Sequence, residues 1–374
     1  MLRQSTIKHV LLEDNNLQIV WANGQQSQFN YRWLRDNCPS PKSRHENGQR
    51  LIETALIPAD IHPEHVQLTS DNQIQITWAN DNHISPFAGE WLWANAPTVV
   101  TNKPTPYHLW SGQTLPNFPD YDYADICRDE TMLSDWLKQV HDYGFALLRQ
   151  VPAESTMVTQ VANLFGYVRE TNYGRHFEVK SVANPNNLAY TGLALSPHTD
   201  NPYRDPVPTL QLLHCLNSSV DGGDSVLVDG FQVAEAIRQE TPAYFDLLAK
   251  WPIRFRFQDE ETNLIAEVPI MRLDHFGNVE AIRFNNRSAE PFQMPVTVID
   301  DYYDAYQAFA RKLDDPTYQY RFKLQPGDLF IVDNLRVLHG RTGFASSGER
   351  HLQGCYADRD GLYSRLRILR GSDD

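Results

Sequence analysis

The feature that most constrains the fold of this chain is a short motif, His198-Thr199-Asp200, combined with a distant histidine, His339. Because His198 and Asp200 are two positions apart, their side chains leave an extended segment from the same face. Two imidazoles and one carboxylate can form the facial triad that binds Fe(II) and keeps open positions for oxygen chemistry. His-x-Asp alone is a common surface or loop pair, so the metal site depends on the rest of the chain. The fold has to bring a strand that carries His339 beside the segment that carries the other two residues.

The sequence around His339 favours a rigid position for this residue. Residues 325–328 (Gln-Pro-Gly-Asp) are typical of a turn, and they lead into an apolar strand at 329–332 that ends just before His339. A metal ligand at the end of a buried strand is held firmly in place. A histidine that only caps a core strand is the alternative interpretation.

Arg350 lies 11 residues beyond His339, and glycines at 340, 343 and 348 allow the chain to turn back between them. An arginine on the next strand can clamp a carboxylate with two parallel hydrogen bonds. A 2-oxo acid that chelates the iron needs such an anchor for its far carboxylate. A surface ion pair is the alternative role for this arginine.

The pattern along the chain predicts three parts. Residues 1–97 are short strands separated by polar turns, with strand alternation at 17–21 and 73–78, and they predict a small antiparallel β domain. Residues 98–122 are rich in Pro, Asn, Tyr and Asp and predict a linker. Residues 123–374 form the third part, in which strands dominate.

Many strands with a few flanking helices in this third part favour a mainly β fold, a double-sheet jelly roll. The predicted strands are 144–148, 210–215, 225–228, 253–257, 279–284, 319–324, 329–332 and 351–356. The predicted helices are 131–143, 155–165, 231–239, one that opens at Thr241-Pro242 with Thr241 as its N-cap, and 299–313.

Charge and cysteine content restrict the class of protein. The net charge is -14 and the isoelectric point is near 5.3, which argues against a nucleic-acid partner because phosphate contacts need a basic face. No stretch reaches about 18 apolar residues, so no membrane partner is expected. Four widely separated cysteines without a secretory leader before them predict reduced thiols in a cytoplasmic protein. They are Cys38, Cys127, Cys215 and Cys355.

The spacing of His198, Asp200, His339 and Arg350 resembles that of the Fe(II)/2-oxoglutarate dioxygenases of the taurine dioxygenase superfamily. The segment Gly-Gly-Asp-Ser at 222–225 is similar to a segment of that superfamily. Within the superfamily, further stretches resemble the γ-butyrobetaine dioxygenase family. They are YRWLRDNC at 31–38, LAYT at 188–191, QLLHC at 211–215, RHLQGCYAD at 350–358 and SRLRIL at 364–369. The resemblance covers nearly the whole chain.

This resemblance implies a double-stranded β-helix with an N-terminal β domain, and the dimers common in the family imply a homodimer. It also implies hydroxylation of γ-butyrobetaine to L-carnitine, with Fe(II) as cofactor, O2 and 2-oxoglutarate as co-substrates, and succinate and CO2 as products. The implied iron ligands are His198, Asp200 and His339. Arg350, Ser225 and Leu213 are the implied co-substrate contacts.

The resemblance also implies a pocket for a small zwitterionic quaternary-ammonium substrate. A trimethylammonium group has no hydrogen-bond donor and is best held by aromatic faces. The family's cage falls on Tyr173, Phe177, Tyr190 and Tyr356. Phe177 stands where some members carry Trp, a stronger cation–π partner, and each aromatic alone is a core residue more often than a ligand contact. The anionic end is expected at Asn187, Asn285 and Asn286, with Arg287 as a further candidate.

Four other polar residues, His214, Asp333, Arg336 and Arg341, are interpreted as supporting or structural rather than catalytic. His214 lies in an apolar strand pattern, where a buried core histidine is expected.

The N-terminal part departs from the family pattern, in which three cysteines and a histidine bind a structural zinc. Cys38 and His83 match, but Ser40 and Ser43 stand at the other two cysteine positions, and His45 lies nearby. Hydroxyl groups are poor zinc ligands compared with thiolates. We therefore expect no structural zinc.

Two other functions remain open from the sequence. The cage would also suit 2-(trimethylammonio)ethylphosphonate or trimethyllysine, and residues 285–287 do not settle which anionic group they meet. A protein of a different class, which captures quaternary ammonium compounds without catalysis, would need the cage but neither the triad nor Arg350.

Overall fold

The computed structural model of this chain describes residues 4–97, 107–180, 192–344 and 348–371. The chain divides into two compact units, Met1–Asn102 and Lys103–Asp374. Among the described residues, none of the helices has the length and apolar character needed to span a bilayer.

The N-terminal unit consists of two small antiparallel sheets, each of three strands. The first contains β1 (Ile7–Leu12), β2 (Asn16–Trp21) and β3 (Gln26–Asn30), and the second contains β4 (Pro63–Leu68), β5 (Gln73–Trp78) and β6 (Ile84–Ala88). Two short helices, α1 (Tyr31–Asp36) and α2 (Gly89–Ala94), follow β3 and β6, and Thr54–Leu56 forms a 3-10 turn. The predicted strands at 17–21 and 73–78 are confirmed.

Strand alternation builds the core of this unit. In β2 and β5 every second side chain is buried, and both strands end in a fully buried tryptophan, Trp21 and Trp78. Each indole N–H donates to a serine hydroxyl, that of Ser27 at 2.9 Å and that of Ser85 at 2.8 Å. The polar atoms of these large side chains are therefore satisfied inside an apolar core.

The second unit contains fourteen further strands and seven further helices within the described residues. Its first half contains α3 (Tyr123–Arg128), α4 (Glu130–Tyr143), β7 (Phe145–Leu148), α5 (Met157–Ala162), β8 (Val168–Arg169), β9 (Phe177–Lys180), β10 (Leu195–His198), β11 (Leu210–Ser218), β12 (Ser225–Asp229), α6 (Gly230–Glu240) and α7 (Pro242–Lys250). Its second half contains β13 (Ile253–Gln258), β14 (Asn263–Val268), β15 (Met271–Leu273), β16 (Val279–Ile282), α8 (Val296–Asp314), β17 (Gln319–Phe322), β18 (Leu329–Asp333), β19 (Val337–Arg341), β20 (Arg350–Ala357) and α9 (Arg359–Arg370).

Two antiparallel sheets form the body of this unit. The larger has the order β7-β18-β11-β20-β8, with β9 also paired to β20, and the smaller has the order β10-β19-β12-β17. Apolar side chains from both sheets pack in one core, including Leu213 and Phe330 from the larger sheet and Leu227 and Val337 from the smaller one. The predicted jelly-roll fold is confirmed.

The helices cover the sheets and the hairpins beside them. Side chains of α4, α5 and α9 pack with β11 and β18 in one apolar cluster, and α6, α7 and α8 pack with the hairpins β13–β14 and β15–β16 in another. Asp129 caps α4 by accepting from the Thr131 N–H, and Gly144 ends it with φ of 80°. Thr241 occupies the predicted N-cap of α7, but its side chain makes no capping hydrogen bond. The helix begins at Pro242, whose missing N–H costs nothing there.

Part of the predicted linker at 98–122 packs in the second unit. Residues 98–106 lie outside the described residues. Trp110 is buried, and its indole N–H donates to the Tyr143 carbonyl oxygen at 2.7 Å. Its backbone N–H donates to Oδ2 of Asp229 at 3.1 Å.

Candidate metal centre

The smaller sheet brings the three predicted ligands together. His198 at the end of β10 lies opposite His339 in β19, and their ring centroids are 4.6 Å apart. Oδ1 of Asp200 lies 3.5 Å from Nε2 of His198 and 3.9 Å from Nε2 of His339. One ligand atom from each residue falls within 4.8 Å of the others, and within the described ranges no other group of His, Cys, Asp and Glu does so. The arrangement fits one metal ion.

The protonation states also suit a cation. Nδ1 of His198 lies 2.9 Å from the Ser196 carbonyl oxygen, which only accepts, so Nδ1 donates this hydrogen bond and Nε2 faces the other two ligands. Burial lowers the pKa of His339 to about 3, which keeps this imidazole neutral. Burial favours the neutral form of Asp200, but the bond from His198 and the nearby histidines hold its pKa below its usual range. Two imidazoles and one carboxylate therefore face each other, a ligand set that suits Fe(II).

Asn334 fixes the backbone of the carboxylate ligand. Its Oδ1 accepts from the Asp200 N–H at 2.7 Å, and its Nδ2 donates to the carbonyl oxygens of Asp200 and Pro208, both at 2.9 Å. The side chain is fully buried just after β18. The sequence analysis assigns no role to this residue, although a lone amide after a buried apolar strand indicates a buried hydrogen-bond partner.

The side chain of Asp200 is held as well. Its Oδ2 accepts from the Tyr356 hydroxyl at 2.8 Å and from Nε2 of Gln211. Tyr356 was predicted only as a cage aromatic, and Gln211 was not predicted as a site residue.

A cavity of about 90 Å³ adjoins the triad, and the predicted co-substrate residues Leu213, Ser225 and Arg350 line it. Arg350 is 9% exposed, and its guanidinium lies 5.7 Å from the Phe344 ring. Among the described residues it forms no ion pair with a carboxylate. Burial lowers its pKa, because enclosing a charge without an acidic partner disfavours the charged form. A ligand carboxylate would offset this cost.

Arg341, interpreted as supporting from the sequence, also lines this cavity. It lies two residues after His339 in β19 and so shares its face of the strand. Burial, followed by the charge of Arg350, lowers its pKa to about 10. The cavity wall is therefore more basic than the sequence predicted.

Three of the predicted cage aromatics are neighbours. The rings of Phe177 and Tyr356 are 5.1 Å apart, and those of Tyr173 and Phe177 are 6.2 Å apart. The Tyr173 hydroxyl lies 3.0 Å from that of Tyr203. Phe177 lies directly over Gly354, where a Cβ would come within 2.5 Å of its ring. The predicted contacts Asn187 and Tyr190 lie outside the described residues.

Residues 284–287 pack directly against the triad motif. The Thr199 N–H donates to the Phe284 carbonyl oxygen at 2.8 Å, and Nδ2 of Asn285 donates to the Thr199 carbonyl oxygen at 3.4 Å. Oδ1 of Asn285 accepts from Nε of Arg287 at 3.4 Å, and Oδ1 of Asn286 accepts from the Tyr306 hydroxyl at 3.1 Å. The three predicted polar residues therefore lie on one short segment beside Asp200.

Arg287 stands at the open side of this segment. It is exposed by surface area, yet burial of its guanidinium lowers its pKa, and the Asp200 charge opposes that shift. Both observations fit a charge in a recess that opens to solvent. Within the described parts of the chain it forms no ion pair with a carboxylate.

Two of the remaining polar candidates have ion-pair partners, and His214 is buried with no hydrogen-bond partner among the described residues. Arg336 and Asp229 form an ion pair at 2.8 Å with both side chains fully buried. Asp333 pairs with Arg359 at 3.1 Å, and His214 is fully buried in β11.

In the N-terminal unit, the four positions of the family's zinc site converge on one point. Nε2 of His83 lies 3.2 Å from Sγ of Cys38, 3.2 Å from Oγ of Ser40 and 3.4 Å from Oγ of Ser43. Nη1 of Arg35 donates to Oγ of Ser43 at 3.1 Å. Only one thiol is present, so this donor set does not fit a structural zinc. The expectation that no zinc binds here stays a prediction.

Comparisons with known proteins agree with this geometry. The taurine catabolism dioxygenase TauD, TfdA family matches residues 103–356, and the gamma-butyrobetaine hydroxylase-like N-terminal family matches residues 9–93. Gamma-butyrobetaine dioxygenase of Pseudomonas sp. (strain AK-1) is 37% identical over 364 residues, which cover 95% of this chain and 94% of that protein. The Homo sapiens gamma-butyrobetaine dioxygenase is 31% identical over 370 residues, which cover 95% of this chain and 94% of that protein. Mitochondrial trimethyllysine dioxygenase of Bos taurus is 30% identical over 366 residues, which cover 95% of this chain and 86% of that protein.

Sequence similarity over nearly the whole chain thus coincides with a triad and a basic cavity of the expected kind. The chain belongs to the γ-butyrobetaine dioxygenase group of the TauD/TfdA family, whose members are Fe(II)/2-oxoglutarate-dependent dioxygenases.

Proposed function

We propose that this enzyme hydroxylates γ-butyrobetaine to L-carnitine and converts 2-oxoglutarate to succinate and CO2. The observation that carries the proposal is the position of the cage: Tyr356 contacts both Phe177 and the iron ligand Asp200. A trimethylammonium group bound on these rings would lie beside the triad, and its alkyl chain would pass the metal. The names of the most similar relatives support the same substrate class.

In this mechanism His198, Asp200 and His339 would hold Fe(II), which when bound supplies the activation of O2 for C–H hydroxylation. Arg350 would bind the far carboxylate of 2-oxoglutarate, with Ser225 donating its hydroxyl to the same group. The basic cavity wall orients the co-substrate, while the aromatic side excludes water from the reacting carbon.

The anionic end of the substrate would meet Asn285, Asn286 and Arg287. Asn285 orients the guanidinium of Arg287, which has no acidic partner within the described residues. This arginine supports a second candidate substrate, 2-(trimethylammonio)ethylphosphonate, because a phosphonate carries more charge than a carboxylate. Trimethyllysine is the third candidate, since relatives named trimethyllysine dioxygenase are also similar to this chain. Its α-ammonium group would be repelled by this arginine.

A non-catalytic protein that captures quaternary ammonium compounds is the alternative from a different class. Cation capture needs neither a triad with a fixed carboxylate nor a buried arginine in the neighbouring cavity. Both features are present, which favours the enzyme.

The remaining organisation is part of the proposal. Residues 1–97 would form the N-terminal domain, 98–122 the connection and 123–374 the catalytic domain. We also propose that the protein is a cytoplasmic homodimer, which light scattering of the purified protein and fractionation of cells would test.

The test of the function is succinate release by the purified enzyme with Fe(II), 2-oxoglutarate and each of the three candidate substrates. We expect γ-butyrobetaine to give the highest kcat/KM and hydroxylated product in equal amount to succinate. A higher kcat/KM for the phosphonate would assign that substrate instead. No substrate-dependent succinate with any trimethylammonium compound would contradict the assignment.

A further inference from the structure

The second oxygen of the Asp200 carboxylate is fully occupied by protein donors. The Tyr356 hydroxyl and Nε2 of Gln211 both donate to Oδ2, whereas both histidine Nε2 atoms face Oδ1. The two oxygens of this ligand therefore have different surroundings before any metal binds.

The sheet register places the two donors side by side. Gln211 in β11 is the cross-strand partner of Tyr356 in β20, so both side chains leave the same face of the sheet. Leu213 lies on that face too, next along β11, and lines the cavity. The donors thus stand on two central strands of the larger sheet, and they reach across to a ligand that follows β10 of the smaller sheet.

Burial of the Gln211 amide destabilises the fold unless the amide binds Asp200. It is 2% exposed, and its Oε1 has no hydrogen-bond partner among the described residues. Because a carboxylate only accepts, the amide must turn Nε2 towards Asp200 and leave Oε1 unsatisfied. A buried polar atom without a partner costs about 1–3 kcal/mol, so an apolar residue would suit this strand better if only packing mattered.

Tyr356 is also placed to donate. It is 4% exposed, and its hydroxyl lies 2.8 Å from Oδ2 of Asp200, which only accepts. Its ring meanwhile faces Phe177. One side chain thus presents an aromatic face to the cage and a hydroxyl to the iron ligand.

We propose that Gln211 and Tyr356 are positioning residues that make Asp200 a one-oxygen ligand of the iron. By holding Oδ2, they direct Oδ1 between His198 and His339 and keep a further coordination position open for the co-substrates. Groups that orient metal ligands in this way typically change metal affinity by about 10–100-fold when removed. The inference rests on the iron site and is independent of which zwitterion is the substrate.

The test is the affinity for Mn(II), a stand-in for Fe(II), measured from the free-ion EPR signal in wild-type protein and single variants. Tyr356→Phe keeps the ring and removes the hydroxyl, and Gln211→Met keeps the length and removes the amide. We expect each to raise the Mn(II) Kd by about tenfold. Tyr302→Phe is the matched control, because it removes a buried phenol hydroxyl of the same unit that has no partner among the described residues. It should leave the Kd within about twofold of wild type.

Two further readouts separate positioning from a general structural effect. The thermal midpoint of the metal-free Tyr356→Phe protein should match that of wild type. At saturating Mn(II) and 2-oxoglutarate, γ-butyrobetaine should bind Tyr356→Phe nearly as well as wild type, and Tyr356→Leu, which loses the ring, far more weakly. An Mn(II) Kd within about twofold of wild type for both Tyr356→Phe and Gln211→Met would overturn the inference. If γ-butyrobetaine is not the substrate, wild-type protein would bind Mn(II) but would not bind γ-butyrobetaine. That result would contradict the proposed function and leave the positioning inference intact.

Discussion

Two groups of side chains in this protein have the spacing of a metal site, one in each unit. In the second unit, His198, Asp200 and His339 present ligand atoms within 4.8 Å of one another. In the N-terminal unit, the thiol of Cys38 and two serine hydroxyls lie 3.2–3.4 Å from Nε2 of His83. We refer to the second group as the hydroxyl cluster.

The difference between them lies in the donors and their support. The triad has a carboxylate whose oxygens are oriented by Tyr356 and Gln211 and whose backbone is fixed by Asn334. The hydroxyl cluster satisfies itself through hydrogen bonds, and Arg35 adds a positive charge next to it. The two groups share a convergent geometry and differ in donor chemistry, so donor chemistry is the basis on which we predict that the triad binds a metal and the hydroxyl cluster does not.

The largest effect is expected from removing a ligand of the triad. His198→Ala should abolish substrate-dependent succinate release, because the remaining two ligands cannot hold the iron firmly. His83→Ala removes the corresponding histidine of the hydroxyl cluster, and turnover should remain. Turnover in His198→Ala would contradict the assignment of the triad as the catalytic metal site. Loss of turnover in a folded His83→Ala variant would contradict the assignment of the hydroxyl cluster as non-catalytic.

The hydroxyl cluster should become a metal site when its donors are restored. In a tetrahedral site, sulfur and nitrogen ligands of one zinc are about 3.6 Å apart, close to the distances seen here. Ser40→Cys combined with Ser43→Cys should therefore bind one zinc per chain and raise the thermal midpoint of the N-terminal unit. Zinc analysis after dialysis measures this, and wild-type protein is the control. A double variant that binds no zinc would show that the spacing is coincidental.

A smaller effect is expected at the mouth of the iron site. Arg287→Ala should raise the Kd of γ-butyrobetaine by about tenfold, because one charge-assisted hydrogen bond is lost. Butyltrimethylammonium, which lacks the anionic group, should bind both proteins equally. Arg272→Ala is the charge-matched control, since Arg272 pairs with Glu280 at 2.6 Å on the hairpin β15–β16. An equal loss for both ligands would contradict the assigned anion contact.

The smallest effect concerns the packing of the cage. A Cβ at position 354 would lie 2.5 Å from the Phe177 ring, so Gly354→Ala should shift this ring and raise the KM for γ-butyrobetaine about fivefold. Gly361→Ala in α9 introduces a similar close contact, 3.0 Å from Gly166, away from the cage. An unchanged KM in Gly354→Ala would place the quaternary ammonium group elsewhere.

Much of this architecture could be predicted from the sequence because it depends on spacing and periodicity. The strand patterns at 210–215 and 329–332 correspond to β11 and β18, and the His-x-Asp motif with His339 gave the triad. These signals are local, or they follow from side-chain alternation along a strand.

The support of the triad could not be predicted in the same way. Tyr356 was predicted as a cage residue, but the direction of its hydroxyl depends on the register of β20 against β11. Asn334 follows a strand that was predicted, yet its partner at position 200 is remote in sequence. Gln211 carries one signal in the sequence, because a polar side chain within an apolar strand needs a buried partner.

The measurement that tests the central claim most directly is the metal content of the purified protein, after chelation and anaerobic reconstitution with Fe(II), by elemental mass spectrometry. We predict close to one iron per chain, lost in His198→Ala, and no retained zinc. Stoichiometric zinc that survives in His198→Ala and disappears in His83→Ala would contradict the account.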